Sequence, residues 1–280
     1  MTITDSKSWQ GMIDLVYISE ENETKLIHNK MQAPFKIQKP LYPEGKKICH
    51  NIILHTAGGI VGGDRLSINL DLQPDAKVLI TTAAAGKIYR SDGKIAKQNT
   101  HIKIDKGAYL EYLPQENIIF KGANYEQNMR VELGEGGIWM GWEINRFGRS
   151  ARGEKFTEGE WRSHTEVWQD GLPLWIDRQY LKANTEIINS YNGLGGMPII
   201  ASLVFVGKKV ESEIVEKARL LGINEQMEGE IGITRLQKGL LCRHRGNSST
   251  ESRNWLIKIW HLLRENYGEL NPMIPRVWPK

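Results

Sequence analysis

Between residues 11 and 181 the chain is a succession of short runs in which apolar and polar residues alternate, and nothing between them repeats at the helical period. Residues 11–19, 24–29, 49–54, 66–72, 77–82, 100–104, 109–113, 117–120, 129–133, 138–144, 164–169 and 174–181 each read as a strand bounded by turn-forming residues. Strands in unbroken series must bury their apolar sides against other strands. The pattern therefore argues for a mainly β fold of stacked antiparallel or mixed sheets, antiparallel by preference, and against βαβ units. Glu20-Glu21-Asn22-Glu23 turns the first two runs into a hairpin, and Pro34, Pro40 and Pro43 punctuate the approach to the third.

Only the last third departs from period two. Residues 197–206 form an apolar run about half the length that a membrane-spanning helix requires, so it reads as a core strand. Residues 209–221 carry Val210, Ile214, Val215, Ala218 and Leu221 on one helical face, with Gly222 placed as a C-terminal stop. Residues 230–236 and 240–244 read as a hairpin. Residues 252–267 then read as a second helix, capped by Ser252, stopped by Gly268 and apolar along Leu256, Ile259, Trp260 and Leu263. There is no repeat at a fixed period and no linker long enough to divide the chain, which predicts one domain over residues 1–280.

Two glycine pairs stand between the strands at 49–54 and 66–72, in Gly58-Gly59-Ile60-Val61-Gly62-Gly63-Asp64-Arg65. Four glycines in six positions carry an entropic cost that an ordinary turn has no reason to bear, so the stretch predicts close approach of another backbone or a ligand. Phosphate cradles are excluded by grammar. The dinucleotide fingerprint opens a helix, whereas residues 66–72 have period two, and the P-loop look-alike at Gly86-Lys87 lacks both the following Ser/Thr and the first glycine.

The formal net charge of +4 is spread along 280 residues without a basic stripe, which excludes a nucleic-acid track. Two cysteines, Cys49 and Cys242, point to a reducing compartment, and residues 1–6 have neither a basic nor an apolar leader segment. Both features predict a cytoplasmic protein without membrane association. The seven histidines form no His-x-x-x-His pair; Cys49-His50 with His55, and Cys242 with His244, come nearest to a ligand set, but neighbours on a strand face opposite sides. No stably bound metal or other cofactor is expected.

Two further clusters could carry chemistry. Glu111 and Glu116 flank Pro114 at a strand end, and Arg149 and Arg152 bracket Glu154 in a Gly/Arg segment, where the arginines could clamp an anion or brace the loop on Glu154. Asp64, Glu116 and Glu154 allow a β-architecture hydrolase of the glycoside type as one alternative. No Gly-x-Ser-x-Gly elbow is present.

Together these segments resemble the urease accessory protein UreD family, called UreH in some species. The resemblance runs through Gly58, Gly59, Gly62, Gly63, Asp64 and Arg65, then Thr81-Thr82 with Lys87, Tyr89, Arg90 and Ser91. It continues through residues 110–120 with Glu111 and Glu116, residues 148–156 with Arg149, Arg152 and Glu154, Pro173-Leu174-Trp175 with Arg178, and the terminal Pro275-Arg276-Val277-Trp278. Such a resemblance implies a non-enzymatic scaffold that works with UreF, the GTPase UreG and the urease structural subunits, passing nickel transiently through an internal passage. It also makes Asp64 and Asp177 candidate acids along that passage. Ala83, Gly86, Asp177 and His55-Thr56 depart from the usual family residues. If Asp64 faces a passage, Glu should replace it better than Asn; if it braces backbone, the order reverses.

Overall fold

A computed structural model describes residues 8–224, 226–268 and 272–278; the N-terminal residues 1–6 and part of the C-terminal tail read above lie outside the described residues. In chain order the strands are β1 (Gln10–Glu20), β2 (Glu23–Gln32), β3 (Phe35–Ile37), β4 (Ile48–His55), β5 (Arg65–Leu72), β6 (Lys77–Thr82) and β7 (Gly86–Ile88). There follow β8 (Ala96–Ile104), β9 (Tyr109–Tyr112), β10 (Asn117–Ile119), β11 (Ala123–Leu133), β12 (Ile138–Phe147), β13 (Gly159–Gln169) and β14 (Leu172–Lys182). Helix α1 (Thr185–Asn189) precedes β15 (Ile199–Val206), α2 (Ser212–Asn224), β16 (Glu230–Leu236), β17 (Gly239–Gly246) and α3 (Ser249–Leu263).

These strands form two sheets. One has seven strands in the order β14-β13-β11-β8-β5-β1-β2; the other has ten, with the path β16-β17-β15-β12-β9-β6-β4-β3 and β7 and β10 attached beside β12. From β4 to β13 the chain crosses from sheet to sheet and returns beside the strand it left. Every central pair is therefore parallel: β5 with β8, β8 with β11 and β11 with β13 in one sheet, and β4 with β6, β6 with β9 and β9 with β12 in the other. Antiparallel pairing, preferred from the sequence, is found at the hairpins and outer strands and where β12 meets β15, so the sheets are mixed. A strand series without helices can return in parallel when the second sheet supplies the crossover.

Within this β4-to-β13 stretch the three connections from the seven-stranded to the ten-stranded sheet, residues 73–76, 105–108 and 134–137, are stacked four-residue corners. The amide of Asp75 donates to the carbonyl of Lys106 at 3.0 Å, and that of Gly107 to Glu135 at 3.0 Å. The return connections, residues 56–64, 83–95, 113–122 and 148–158, are longer and gather at the other end of the molecule. All the loop motifs singled out between residues 58 and 156 lie at this second end.

Burial follows from this layering. The seven-stranded sheet has one solvated face, and β5 alternates strictly between buried and less buried positions. Sheet two is covered on both faces, so β4 and β12 read as nearly continuous buried runs. Ile13, Leu70, Ile102, Val131, Trp139 and Trp161 belong to the core between the sheets, whereas Met140, Phe205, Trp255, Ile259 and Trp260 belong to a second core under α2 and α3. Each such aliphatic or aromatic side chain contributes about 1.5–3 kcal/mol relative to exposure.

The two helices occur where periodicity places them, with shifted ends. Helix α3 starts one turn early because Ser248, not Ser252, accepts from the amide of Glu251 at 3.2 Å. Ser252 lies inside the helix, where its hydroxyl donates to the carbonyl of Ser248. A single wide turn over Arg264–Gly268 follows α3. Gly222 is not a stop: α2 runs through it, and a Cβ there would sit 2.6 Å from Ile231 Cδ1, so its role is close packing on β16. The five-residue α1, too short to show a period, is capped by Asn184 accepting from the amide of Ile187 at 2.7 Å. Among the described residues no helix is long and apolar enough to cross a membrane.

Candidate functional site: an acidic cavity behind the glycine loop

The paired glycines do permit close approach, and the approaching group is the chain itself. Gly58 to Gly63 leave β4 and cross to β5 while lying against β7. The amide of Ile60 donates to the carbonyl of Lys87 at 2.7 Å, and the amide of Tyr89 donates back to Ile60 at 2.8 Å. A Cβ on Gly59 would stand 2.3 Å from the Tyr89 ring and 2.6 Å from the Lys87 carbonyl; one on Gly62 would stand 2.2 Å from Ser91 Oγ. The Tyr89 hydroxyl donates to the carbonyl of Gly58 at 3.0 Å, and its ring meets Phe120 edge-on at 4.9 Å. Arg149 lies over the Phe120 ring, 4.6 Å from its centroid. Motifs far apart in sequence thus become one continuous surface.

Behind that surface, between the sheets, is a cavity of about 560 Å³ lined by residues 57–60 and 82–87 at one side and by β8, β11, β12 and β13 at the other. Its walls carry His55, Gln98, Asn117, Gln127, Ser163 and Glu143. Glu143 is the acid in the lining of this cavity. Its carboxylate accepts from Gln127, Asn145 and Ser163, the last at 3.1 Å, while Gln127 also donates to Ser163 at 3.0 Å and Asn117 to Asn145 at 3.3 Å. Among the described residues no cationic side chain pairs with Glu143. Burial pushes its pKa above the ordinary carboxyl value, against the pull of the three donors, with a further upward push from Asp177. A carboxylate ringed by neutral amides and a hydroxyl is a site at which a cation would relieve a desolvation cost.

Neither acid singled out from the sequence lines this cavity. Asp64 is fully buried, and its two oxygens accept from the amides of Trp9 and Val61, each at 2.9 Å. The geometry is the backbone brace. Arg65 does not pair with it; its Nη1 donates to the carbonyls of Gly63, Asp64 and Ile95. Asp177, on the inner side of β14, accepts from Arg243 at 2.6 Å and Gln179 at 2.7 Å.

The remaining motif acids are each committed elsewhere. Glu116 pairs with Arg253, and Glu154 with Arg149 and the amide of Lys121, while the Arg149 contact holds Glu154 below the usual carboxyl range. Arg152 closes the short turn Ser150–Arg152 and is exposed; Arg276 donates to Gln38. Glu111 is buried under α3, accepting from Tyr109 and, at 2.7 Å, from Arg264, which also pairs with Glu44; Glu44 in turn meets His50 at 2.7 Å. Asp64, Glu116 and Glu154 are therefore three separately engaged groups, and the arrangement does not favour the hydrolase alternative.

Thiolate ligands are also disfavoured. Burial pushes the Cys49 thiol up to about 12 and raises Cys242 still more clearly. Among the described residues no three His, Cys, Asp or Glu side chains converge as a metal-binding group.

Sequence reasoning missed Glu143 and its ring. The available signal was a charge inside the apolar run Ile138-Trp139-Met140-Gly141-Trp142-Glu143-Ile144, where a strand covered on both faces admits none without a reason.

Comparison with known proteins bears on this geometry. A family sequence model described as UreD urease accessory protein matches residues 10–279. The urease accessory protein UreD of Nostoc sp. (strain PCC 7120) is 59% identical over 280 residues, covering 99% of this chain and 99% of its own. That of Trichormus variabilis is 58% identical over 272 residues, covering 97% and 96%; that of Methylobacillus flagellatus is 37% identical, covering 97% and 95%.

Proposed function

The chain belongs to the UreD family of urease accessory proteins, and from that membership we propose that it is a cytoplasmic, non-catalytic scaffold for nickel insertion into urease apoprotein. In this reading it works with UreF and the GTPase UreG, and the cavity around Glu143 is the section of passage that this chain contributes. The observation that supports the reading is a cavity-lining carboxylate that has neutral donors and, among the described residues, no cationic partner. Oxygen and amide groups of this kind favour a divalent ion in transit without the thiolate cage that would retain it.

Nickel is then cargo, and the isolated chain holds it no more tightly than the micromolar range. The exposed apolar residues Leu220 and Ile223 on α2, at 51% and 68% exposure, support a partner surface on the helical side, which we assign to UreF. Purification of the tagged chain from a urease-producing cell, with metal analysis of the eluate, tests the proposal. Recovery of urease subunits and UreF supports it; a chain recovered alone with one stoichiometric nickel ion would turn the reading into metal storage.

A further inference from the structure

The loop end of the molecule has a charge pattern that the passage reading does not explain. Lys87 borders the cavity mouth beside Gly58 and Gly59. Arg90 follows on the same segment, its stem packed over Gly122, and Arg152 and Lys155 come from the β12–β13 connection. These four side chains are exposed and, among the described residues, none makes an ion pair, whereas their neighbours Lys121 and Arg149 are neutralised by Glu158 and Glu154. Two aliphatic residues at the same end, Val61 and Ile95, remain 42% and 41% exposed. The opposite end is different in kind: its corners carry Asp75, Asp105, Glu135 and Asp170, with Lys103 and Lys106 in ion pairs there.

A cavity whose interior suits a cation thus has Lys87 in its wall, with Arg90, Arg152 and Lys155 on the connections at the same end of the molecule, and together these four form a cationic rim to that end. Unpaired positive charge at the mouth repels a free divalent ion arriving from water, so the bare mouth is electrostatically closed to the cargo that the interior favours. The same end, with exposed apolar residues on it, has the composition of a protein-docking surface whose partner brings carboxylates. We propose that the loop end docks against an acidic protein surface and that this docking, by neutralising the rim, opens the mouth to the cation. The inference rests on the scaffold reading for the kind of partner; its electrostatics rest on the rim alone.

The test uses the full-length chain against separately purified urease apoprotein and UreF from the same organism, with Kd measured by biolayer interferometry between low and moderate NaCl. Three variants are compared with the unaltered chain: a quadruple reversal (Lys87→Glu, Arg90→Glu, Arg152→Glu, Lys155→Glu), its neutral counterpart with Gln at all four positions, and a control reversal at Lys30→Glu and Lys182→Glu. The expected result is salt-sensitive binding of one partner, weakened about tenfold or more by the quadruple reversal, less by the Gln set and not by the control. If the reversal lowers the melting temperature, the Gln set decides alone. Equal affinities for the unaltered chain and both rim variants overturn the docking surface while leaving the scaffold intact. Failure of the unaltered chain to bind either partner overturns both readings. Loss of binding only to a duplex DNA probe would reassign the rim to nucleic acid and overturn the proposal.

Discussion

Replacement of Asp64 separates a brace from a passage acid. With no exposure and one backbone amide on each oxygen, the side chain satisfies two donors, Trp9 from the start of the chain and Val61 from its own loop. Asp64→Ala removes both acceptors; at about 1–3 kcal/mol for each stranded donor the loss is about 2–6 kcal/mol. Asp64→Asn keeps one acceptor and turns an amide group toward the other donor, a loss of about 1–3 kcal/mol. Asp64→Glu keeps the charge but forces a methylene into a filled site and displaces both oxygens, about 2–5 kcal/mol together. The expected order of stability is Asp, then Asn, then Glu and Ala. At about 2 °C per kcal/mol for a chain of this size, the Ala variant should melt roughly 4–12 °C lower. Scanning calorimetry on the three variants measures this directly, with urease activation assayed alongside. A stable Asp64→Ala that fails in activation, with Glu rescuing better than Asn, would refute the brace and return Asp64 to the passage.

Arg264→Met should take the cation from Glu44 and Glu111, whose side chains are 4% and 0% exposed and, among the described residues, keep only His50 and Tyr109 as partners; a loss of about 3–5 kcal/mol is expected near pH 7.5 and a smaller one near pH 4.5, because His50 and Arg264 together hold the Glu44 carboxyl below its ordinary value. Melting curves at the two pH values check both size and sign. Glu143→Gln should act in the opposite direction: a carboxyl whose folded pKa is raised above its unfolded value loses stability as pH rises through the folded value, so the variant gains most over the parent at pH 8 and least at pH 4.5. Equal stability at both ends would show that Glu143 is not desolvated. Gly59→Ala should cost about 1–3 kcal/mol and loosen the contact between residues 60 and 88, detectable as faster amide exchange at Ile60 and Tyr89, whereas Gly58→Ala, with open space around its Cβ, should leave stability within about 0.5 kcal/mol.

Strand existence was legible because alternation records which side of a strand is wet. Pairing direction was not, since parallel and antiparallel strands on a half-buried sheet show the same alternation, and the crossings that decide it are long-range. The coil itself was hidden by unequal lengths: Arg65, Lys97, Glu126 and Arg162 share one rung, yet are separated by 32, 29 and 36 residues, so no fixed period exists to find. The glycine pairs correctly announced close approach, but composition cannot say whether backbone or ligand approaches, and here it is β7. Asp64 drew notice because it follows the glycines. Glu143 did not, although a lone acid in an apolar strand is the stronger physical signal of an interior polar site.

The equal four-residue corners at residues 73–76, 105–108 and 134–137 make the two ends of the molecule unequal substrates for evolutionary change. Each corner fixes how far Leu72, Ile104 and Leu133 sit from Lys77, Tyr109 and Ile138 in the facing sheet, and those residues are aligned across their strands. One residue inserted there would turn the following strand over and exchange the side chains that it presents to the two cores, misfitting both. A loop at the other end can lengthen by several residues and still deliver the next strand in register, because loop closure becomes only slowly more costly with length. Variation in how such a protein meets its partners is thus free to accumulate at one end, while the other serves as the ruler that keeps the sheets in step.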